Sequence, residues 1–174
     1  MKDLLKGVNI YLIGMMGTGK TTVGRHLAQK LNYRFIDMDT VCTQVAGRSI
    51  SEIFATEGEP YFRELETKIL AELSVYTRCV IATGGGVVEK SFNWSYLHHG
   101  LVVWLDTDVK ILQQRLAGDN SRPLANRLET LLASRRPIYA RADLRLEINS
   151  ESPPAQVATN ILDAIPPILK TAND

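Results

Sequence analysis

Apolar residues along this chain fall into two patterns that alternate. Short, nearly continuous apolar runs stand at Val8–Ile13, Cys79–Ala82 and Leu101–Leu105. Runs of this length predict strands covered on both faces, as in a parallel sheet. Phe35 and Ile36, ending at Asp37, and Leu144–Ile148 predict two more strands. Between the strands, apolar residues recur at helical spacing, as with Val23, Leu27 and Leu31 in the segment 21–31. Further helices are predicted over Val109–Leu116 and Leu128–Tyr139. Ser49-Ile50-Ser51-Glu52 has the form of a capping box and predicts a helix start. Gly58 and Pro60 predict a break, with a new helix from near Tyr61 to about Leu73. Pro153 and Pro154 open a last helix expected to end near Pro166. Strands alternating with helices mean right-handed βαβ units. The expected fold class is therefore α/β, a three-layer sandwich of a five-stranded parallel sheet with helices on both faces. Ligands of such sheets bind at the carboxyl ends of the strands.

Composition narrows this picture. The 174 residues suit one domain, spanning 1–174, and 45% hydrophobic with 22% charged residues is the balance of a globular protein. A formal net charge of +1 supplies no global field to attract nucleic acid or a membrane, so anion binding has to be local. No apolar run reaches the ~20 residues of a membrane span. The two cysteines, Cys42 and Cys79, have neither metal spacing nor a disulfide framework and are expected to be reduced thiols. The expected location is the cytoplasm, or a plastid stroma where a transit peptide has been removed, and the expected state is a monomer.

The local anion site is explicit. Gly14-Met15-Met16-Gly17-Thr18-Gly19-Lys20-Thr21 matches G-x-x-x-x-G-K-[ST], between a predicted strand and a predicted helix. Glycines let the backbone turn several N–H groups toward one phosphate, and the following helix adds its positive end. Lys20 carries charge to the β- and γ-phosphates, and the Thr21 hydroxyl is a Mg²⁺ ligand. Nucleotide contacts are expected from Gly14, Gly17, Thr18, Gly19, Lys20, Thr21 and Thr22.

Three weaker signals lie downstream. Asp37-Met38-Asp39 ends the second strand, where period two sends both carboxylates to one side, one for a metal and one for an incoming hydroxyl. Phe62-Arg63-Glu64-Leu65-Glu66 places Arg63 and Glu66 as i,i+3 neighbours on a helix, a guanidinium oriented by a carboxylate and suited to gripping another. Gly84-Gly85-Gly86 after a strand allows close backbone approach to a ligand. Each also has an ordinary reading: an acidic loop, a surface ion pair, a tight turn.

The P-loop, the DMD pair, FR-x-x-E, TGGG, the Arg122-Pro123 pair in a polar loop and R-x-P-x-Y over Arg135, Pro137 and Tyr139 occur in that order. Together they resemble the shikimate kinase family, in the nucleoside-monophosphate-kinase-like branch of P-loop proteins, over nearly the whole chain. The resemblance implies a P-loop kinase fold with an acceptor-binding region at about 38–73 and a short lid at about 117–127. It implies transfer of the γ-phosphoryl group of ATP to the 3-hydroxyl of shikimate with Mg²⁺. It implies that Asp37 serves the metal with Thr21 and that Asp39 meets the acceptor hydroxyl as the candidate base. Arg63 and Arg135 would grip the acceptor carboxylate, with Glu66 orienting Arg63 and Gly84, Gly85 and Gly86 lining the pocket. Lys20 and the lid residue Arg122 would meet the transferring phosphate, with Arg115 over adenine and Pro154 on the far wall. The chain departs from the family in reading Arg122-Pro123-Leu124-Ala125 where RPLL is common, and in a shorter stretch between Arg122 and Arg135. The rival readings are a gluconate-type or nucleotide kinase of the same fold, and a catalytically impaired binding or regulatory relative.

His26, His98 and His99 lack partners at metal-ligand spacing. Trp104 and Trp94 are expected to pack, and Arg141 and Arg145 to form a solvated face.

Overall fold

The computed structural model describes residues 5–118, 127–149 and 152–171. The strands are β1 (Ile10–Ile13), β2 (Arg34–Asp37), β3 (Cys79–Ala82), β4 (Leu101–Thr107) and β5 (Leu144–Ile148). They form one fully parallel sheet in the order β2-β3-β1-β4-β5. The helices are α1 (Lys20–Leu31), α2 (Met38–Ala46), α3 (Ile50–Thr56), α4 (Gly58–Leu73), α5 (Asn93–Leu97), α6 (Val109–Leu116), α7 (Leu128–Tyr139) and α8 (Pro154–Thr171). A 3₁₀ turn, Val87–Glu89, follows the glycine run.

The central strand shows why the sheet is a buried middle layer. All four residues of β1 are buried, and period two splits them between two cores. Ile10 and Leu12 pack with Val23 and Leu27 of α1 and Ile161 of α8 on one face. Tyr11 and Ile13 pack on the other face, in the core that holds Leu70 of α4, Trp94 of α5 and Tyr139 of α7. The three-layer α/β sandwich is thus present, with α1 and α8 on one side. None of the described helices is long and apolar enough to cross a membrane.

Four expectations need correction. The DMD segment is not a strand end running into a loop. Asp37 closes β2, and its Oδ1 accepts from the N–H groups of Asp39 and Thr40, so it N-caps α2, a helix absent from the sequence reading. Period two therefore does not set the direction of Asp39, which sits in the first turn of that helix. The α3–α4 boundary lies earlier than expected. The capping box at Ser49 and Glu52 is present, and α4 already starts at Gly58, with Pro60 in its first turn, where a missing N–H costs nothing. The last helix continues through Pro166 and Pro167 to Thr171. Its packed face, from Val157 to Ile165, anchors it before the prolines are reached. Finally, Arg141 and Arg145 are exposed but not merely solvated. Arg141 lies 4.2 Å from the Trp94 ring centroid and Arg145 4.9 Å from that of Trp104. Trp94 and Trp104 themselves are buried, as expected.

One buried side chain ties the sheet to its connections. Asn9 donates to the Tyr76 carbonyl at 2.8 Å and accepts from the Cys79 N–H at 2.9 Å, joining the entry of β1 to that of β3. Asn9→Ala leaves the half-buried Tyr76 carbonyl and the buried Cys79 N–H without those partners. Urea unfolding should show a loss of roughly 1–3 kcal/mol. A loss below about 0.5 kcal/mol would mean that water replaces the clamp.

Candidate active site

Two adjoining cavities open at the carboxyl ends of the strands. The larger, about 780 Å³, is lined by residues 17–23 of the loop and α1, by Asp37 and Thr40, and by Arg115, Pro154 and Val157. The smaller, about 320 Å³, is lined by Arg63 and Glu66 of α4, by Gly84 and Gly86, by Arg135 of α7, and by Ser49, Phe54 and Phe62. Asp39 and Gly85 line both.

In the larger cavity the loop has the backbone that phosphate binding requires. Gly17 and Gly19 have φ of 81° and 93°, in the left-handed region that glycine enters without strain. Gly19 is the N-cap of α1 and supplies no capping side chain, so the first-turn N–H groups of the helix stay available to an anion. Thr18 Oγ1 is buried without a hydrogen-bond partner among the described residues. Lys20 donates to the carbonyls of Gly14 at 2.8 Å and Met15 at 2.7 Å, which holds its ammonium over the loop. Thr21 donates its hydroxyl to Asp37 Oδ2 at 2.6 Å. Asp37 is thereby divided, one oxygen capping α2 and the other paired with the α1 hydroxyl. A hydroxyl and a carboxylate side by side are hard oxygen donors of the kind Mg²⁺ accepts when waters and phosphates complete its shell. Among the described residues no cluster of three or more His, Cys, Asp or Glu could hold a metal. Arg115 reaches across from α6 to the Gly17 carbonyl at 3.0 Å, and Pro154 begins α8 on the opposite wall.

The smaller cavity is built around two guanidinium groups. Arg63 donates to Glu66 at 2.5 Å and to Glu59 at 2.9 Å. Arg135, 1% exposed, makes a two-pronged pair with Glu89 at 3.0 and 3.3 Å. Its neighbour Arg136 turns away, to Asp106 and the Trp104 ring, so Arg135 is the one that faces the cavity. The glycines fit between these groups. Neither Gly84 nor Gly86 has a positive φ; what excludes a side chain is space. A Cβ on Gly86 would lie 2.5 Å from the Arg63 guanidinium carbon, and one on Gly84 would collide with Glu66 Oε1. Tyr139, the last residue of the R-x-P-x-Y pattern, donates its hydroxyl to the Gly85 carbonyl at 2.5 Å and pins the turn to α7.

Of the site residues named from the sequence, all but two line the two cavities: Gly14 lines neither, its carbonyl accepting from Lys20 behind the loop. Arg122 lies outside the described residues, as does most of the expected lid. Sequence reasoning missed Glu59 and Glu89, which complete the charge balance, and Ser49 and Phe54, which line the acceptor side. Ser49 was visible only as a helix cap, and Glu89 carried no motif at all.

Glu66 is 1% exposed and its Oε1 has no hydrogen-bond partner among the described residues. Burial pushes its carboxyl up to about 7, against the pull of Arg63 beside it. Burial also pulls on the Arg63 charge, but Glu66 and Glu59 together more than offset it and hold it above its ordinary value. The folded chain therefore keeps a proton on Glu66 that the unfolded chain releases from the ordinary 4.5 upward. Stability from this group is fully present below pH 4.5 and is lost as pH rises through 7. Between pH 5 and 8 unfolding free energy should fall by about 1–3 kcal/mol on this account, at 1.36 kcal/mol per unit of separation. Glu66→Gln should flatten that part of the profile, as read by denaturant titration at each pH; an unchanged slope would locate the titration elsewhere.

Comparison with known proteins follows the same lines. The family model described as "Shikimate kinase" matches residues 16–166. The shikimate kinase of Trichormus variabilis is 54% identical over 181 aligned positions, covering 99% of this chain and 100% of that protein. That of Nostoc sp. is 52% identical over 176, covering 98% and 97%. The solved structure of shikimate kinase from Acinetobacter baumannii in complex with shikimate superposes with a TM-score of 0.87 at 39% identity, covering 96% of this chain and 94% of that one. A P-loop at the head of a 2-3-1-4-5 parallel sheet, a carboxylate-lined junction and full-length identity above one half lead to one assignment: this chain belongs to the shikimate kinase family, ATP-dependent phosphotransferases.

Proposed function

We propose that the protein transfers the γ-phosphoryl group of ATP to the 3-hydroxyl of shikimate. The observation that carries this reading is the shared wall between the cavities. Asp39 and Gly85 border both the phosphate side and the arginine-lined side, so an acceptor held at one end by its carboxylate presents its hydroxyls at the junction. A compact cyclic carboxylate suits a space of about 320 Å³ with Arg63 and Arg135 at its wall. A guanidinium binds both oxygens of a carboxylate at once, which fixes orientation as well as position. That pair of arginines favours shikimate over the acceptors of other kinases that share this fold.

In the proposed mechanism, positioning and charge compensation do most of the work. The loop N–H groups and Lys20 hold the phosphates, and Lys20 stabilises charge on the transferring group. Thr21 and Asp37 would hold Mg²⁺, which neutralises phosphate charge when bound. Asp39, in the first turn of α2, orients the acceptor hydroxyl and takes its proton. Arg115 and Pro154 would flank the adenine, and Arg122 would meet the transferring phosphoryl group. We further place the whole chain in one kinase domain, with its acceptor region at about 38–73 supplemented by Gly84–Gly86 and Arg135, working as a cytoplasmic monomer.

A coupled ADP-release assay tests the reading directly. ADP should form rapidly only when shikimate is present; release indifferent to shikimate would overturn the assignment of the acceptor. In the same assay Asp39→Asn, which keeps the shape and removes the proton acceptor, should lower turnover at saturating shikimate by ~10²–10⁴-fold. Nucleotide affinity should be retained, because Lys20 and Thr21 are untouched. A loss below ~10-fold would remove general base catalysis from the mechanism and leave positioning and charge stabilisation.

A further inference from the structure

Glu89 stands outside every motif and outside both cavities, yet it holds the two arginines of the acceptor site together. It ends the 3₁₀ turn that follows Gly84–Gly86, where its N–H donates to the Gly86 carbonyl at 3.1 Å. Its Oε1 accepts from Arg135 Nε at 3.0 Å and its Oε2 from Arg135 Nη2 at 3.3 Å. The same Oε2 lies 3.9 Å from Arg63 Nε, a buried nitrogen without a hydrogen-bond partner among the described residues. The Glu89 side chain is 35% exposed, so one carboxylate reaches from the surface to two guanidinium groups that are 13% and 1% exposed.

The directions matter. Glu89 occupies the Nε/Nη2 edge of Arg135 and leaves the Nη1 corner toward Gly85. Arg63 has a carboxylate at each nitrogen, with Glu66 on Nη1, Glu59 on Nη2 and Glu89 beside Nε. Glu89 does not line the acceptor cavity, so it does not block an incoming carboxylate. Two positive groups beside one small cavity repel each other, and a buried guanidinium left unpaired is costly. A carboxylate bridging their outer edges offsets that repulsion and fixes the plane of Arg135 before substrate arrives.

We propose that Glu89 is a positioning residue for acceptor recognition, setting Arg135 and Arg63 as a preformed receptor for the acceptor carboxylate. The proposal rests on the reading of shikimate as acceptor. Outer carboxylates that orient the groups contacting a ligand are worth ~10–100-fold where this has been measured at metal sites, and preorganisation of a first contact by a second group is the same physics.

Calorimetric titration of wild type, Glu89→Ala and Glu89→Gln with shikimate, and separately with ADP, tests it. Glu89→Ala should weaken shikimate binding by ~10–100-fold, and Glu89→Gln less, since its amide oxygen still accepts one bond from Arg135. ADP affinity should stay within about twofold, the KM for shikimate should rise, and kcat should stay within about threefold. The methyl ester of shikimate, which carries no charge, should bind all three proteins alike. Wild-type shikimate affinity in both variants would overturn the proposal, and so would parallel loss of shikimate and ADP. Glu89→Gln keeps the side-chain volume and carries the test if the alanine variant does not fold. Failure of the wild-type protein to bind shikimate would instead defeat the acceptor assignment on which the proposal stands.

Discussion

Two guanidinium groups brought to one small cavity are the constraint around which the acceptor side is built. Neither can be left without a counter-charge in a desolvated setting, and each needs an edge free for a ligand. Arg63 takes its counter-charge from Glu59 and, once ionised, Glu66 of its own helix. Arg135 takes its own from Glu89 in the turn after β3. The surrounding backbone then has to pass close to both, which is why Gly84 and Gly86 lack side chains although neither adopts a positive φ. Tyr139 closes the arrangement by tying the glycine turn to the helix that carries Arg135.

Charge compensation also explains why the two cavities stay distinct while touching. On the phosphate side the positive groups are a lysine, backbone N–H groups and a helix end, facing a ligand with several negative charges. On the acceptor side they are planar forks suited to one carboxylate. Asp37 and Asp39 lie between these fields, on the boundary between β2 and α2. Asp37 divides its two oxygens between capping that helix and pairing with Thr21. The same carboxylate that starts α2 therefore fixes Asp39 two residues on, in the wall common to both cavities. Helix nucleation and site geometry depend on one side chain.

Much of this was legible from local pattern. Strand β1 is apolar at every position because both of its faces are covered, and that marks a parallel sheet without any tertiary information. The P-loop is legible for a similar reason: its chemistry uses backbone and neighbours in sequence, so spacing encodes geometry. The capping box at Ser49 and Glu52 is equally local. Helix α2 was missed because its cap is the aspartate that ends β2, and a residue serving two elements looks like the end of the first. The break at Gly58 is real, with φ of 83°, but the start of α4 was placed too late because Pro60 reads as part of the break, whereas a first turn tolerates it.

By itself, then, the sequence determined the parallel α/β sandwich and the phosphate loop, because both are written in short-range spacing, while most of the residues around the acceptor were named only through the resemblance of their joint order to a family. Only the tertiary structure decided that Asp39 stands where two cavities meet, and that Glu89 bridges two arginines separated from it by 26 and 46 residues in the chain. A buried charge takes its partner from whatever element packs against it. Such pairing is set by the sheet order and by which helices share a face, and no spacing along the chain records it.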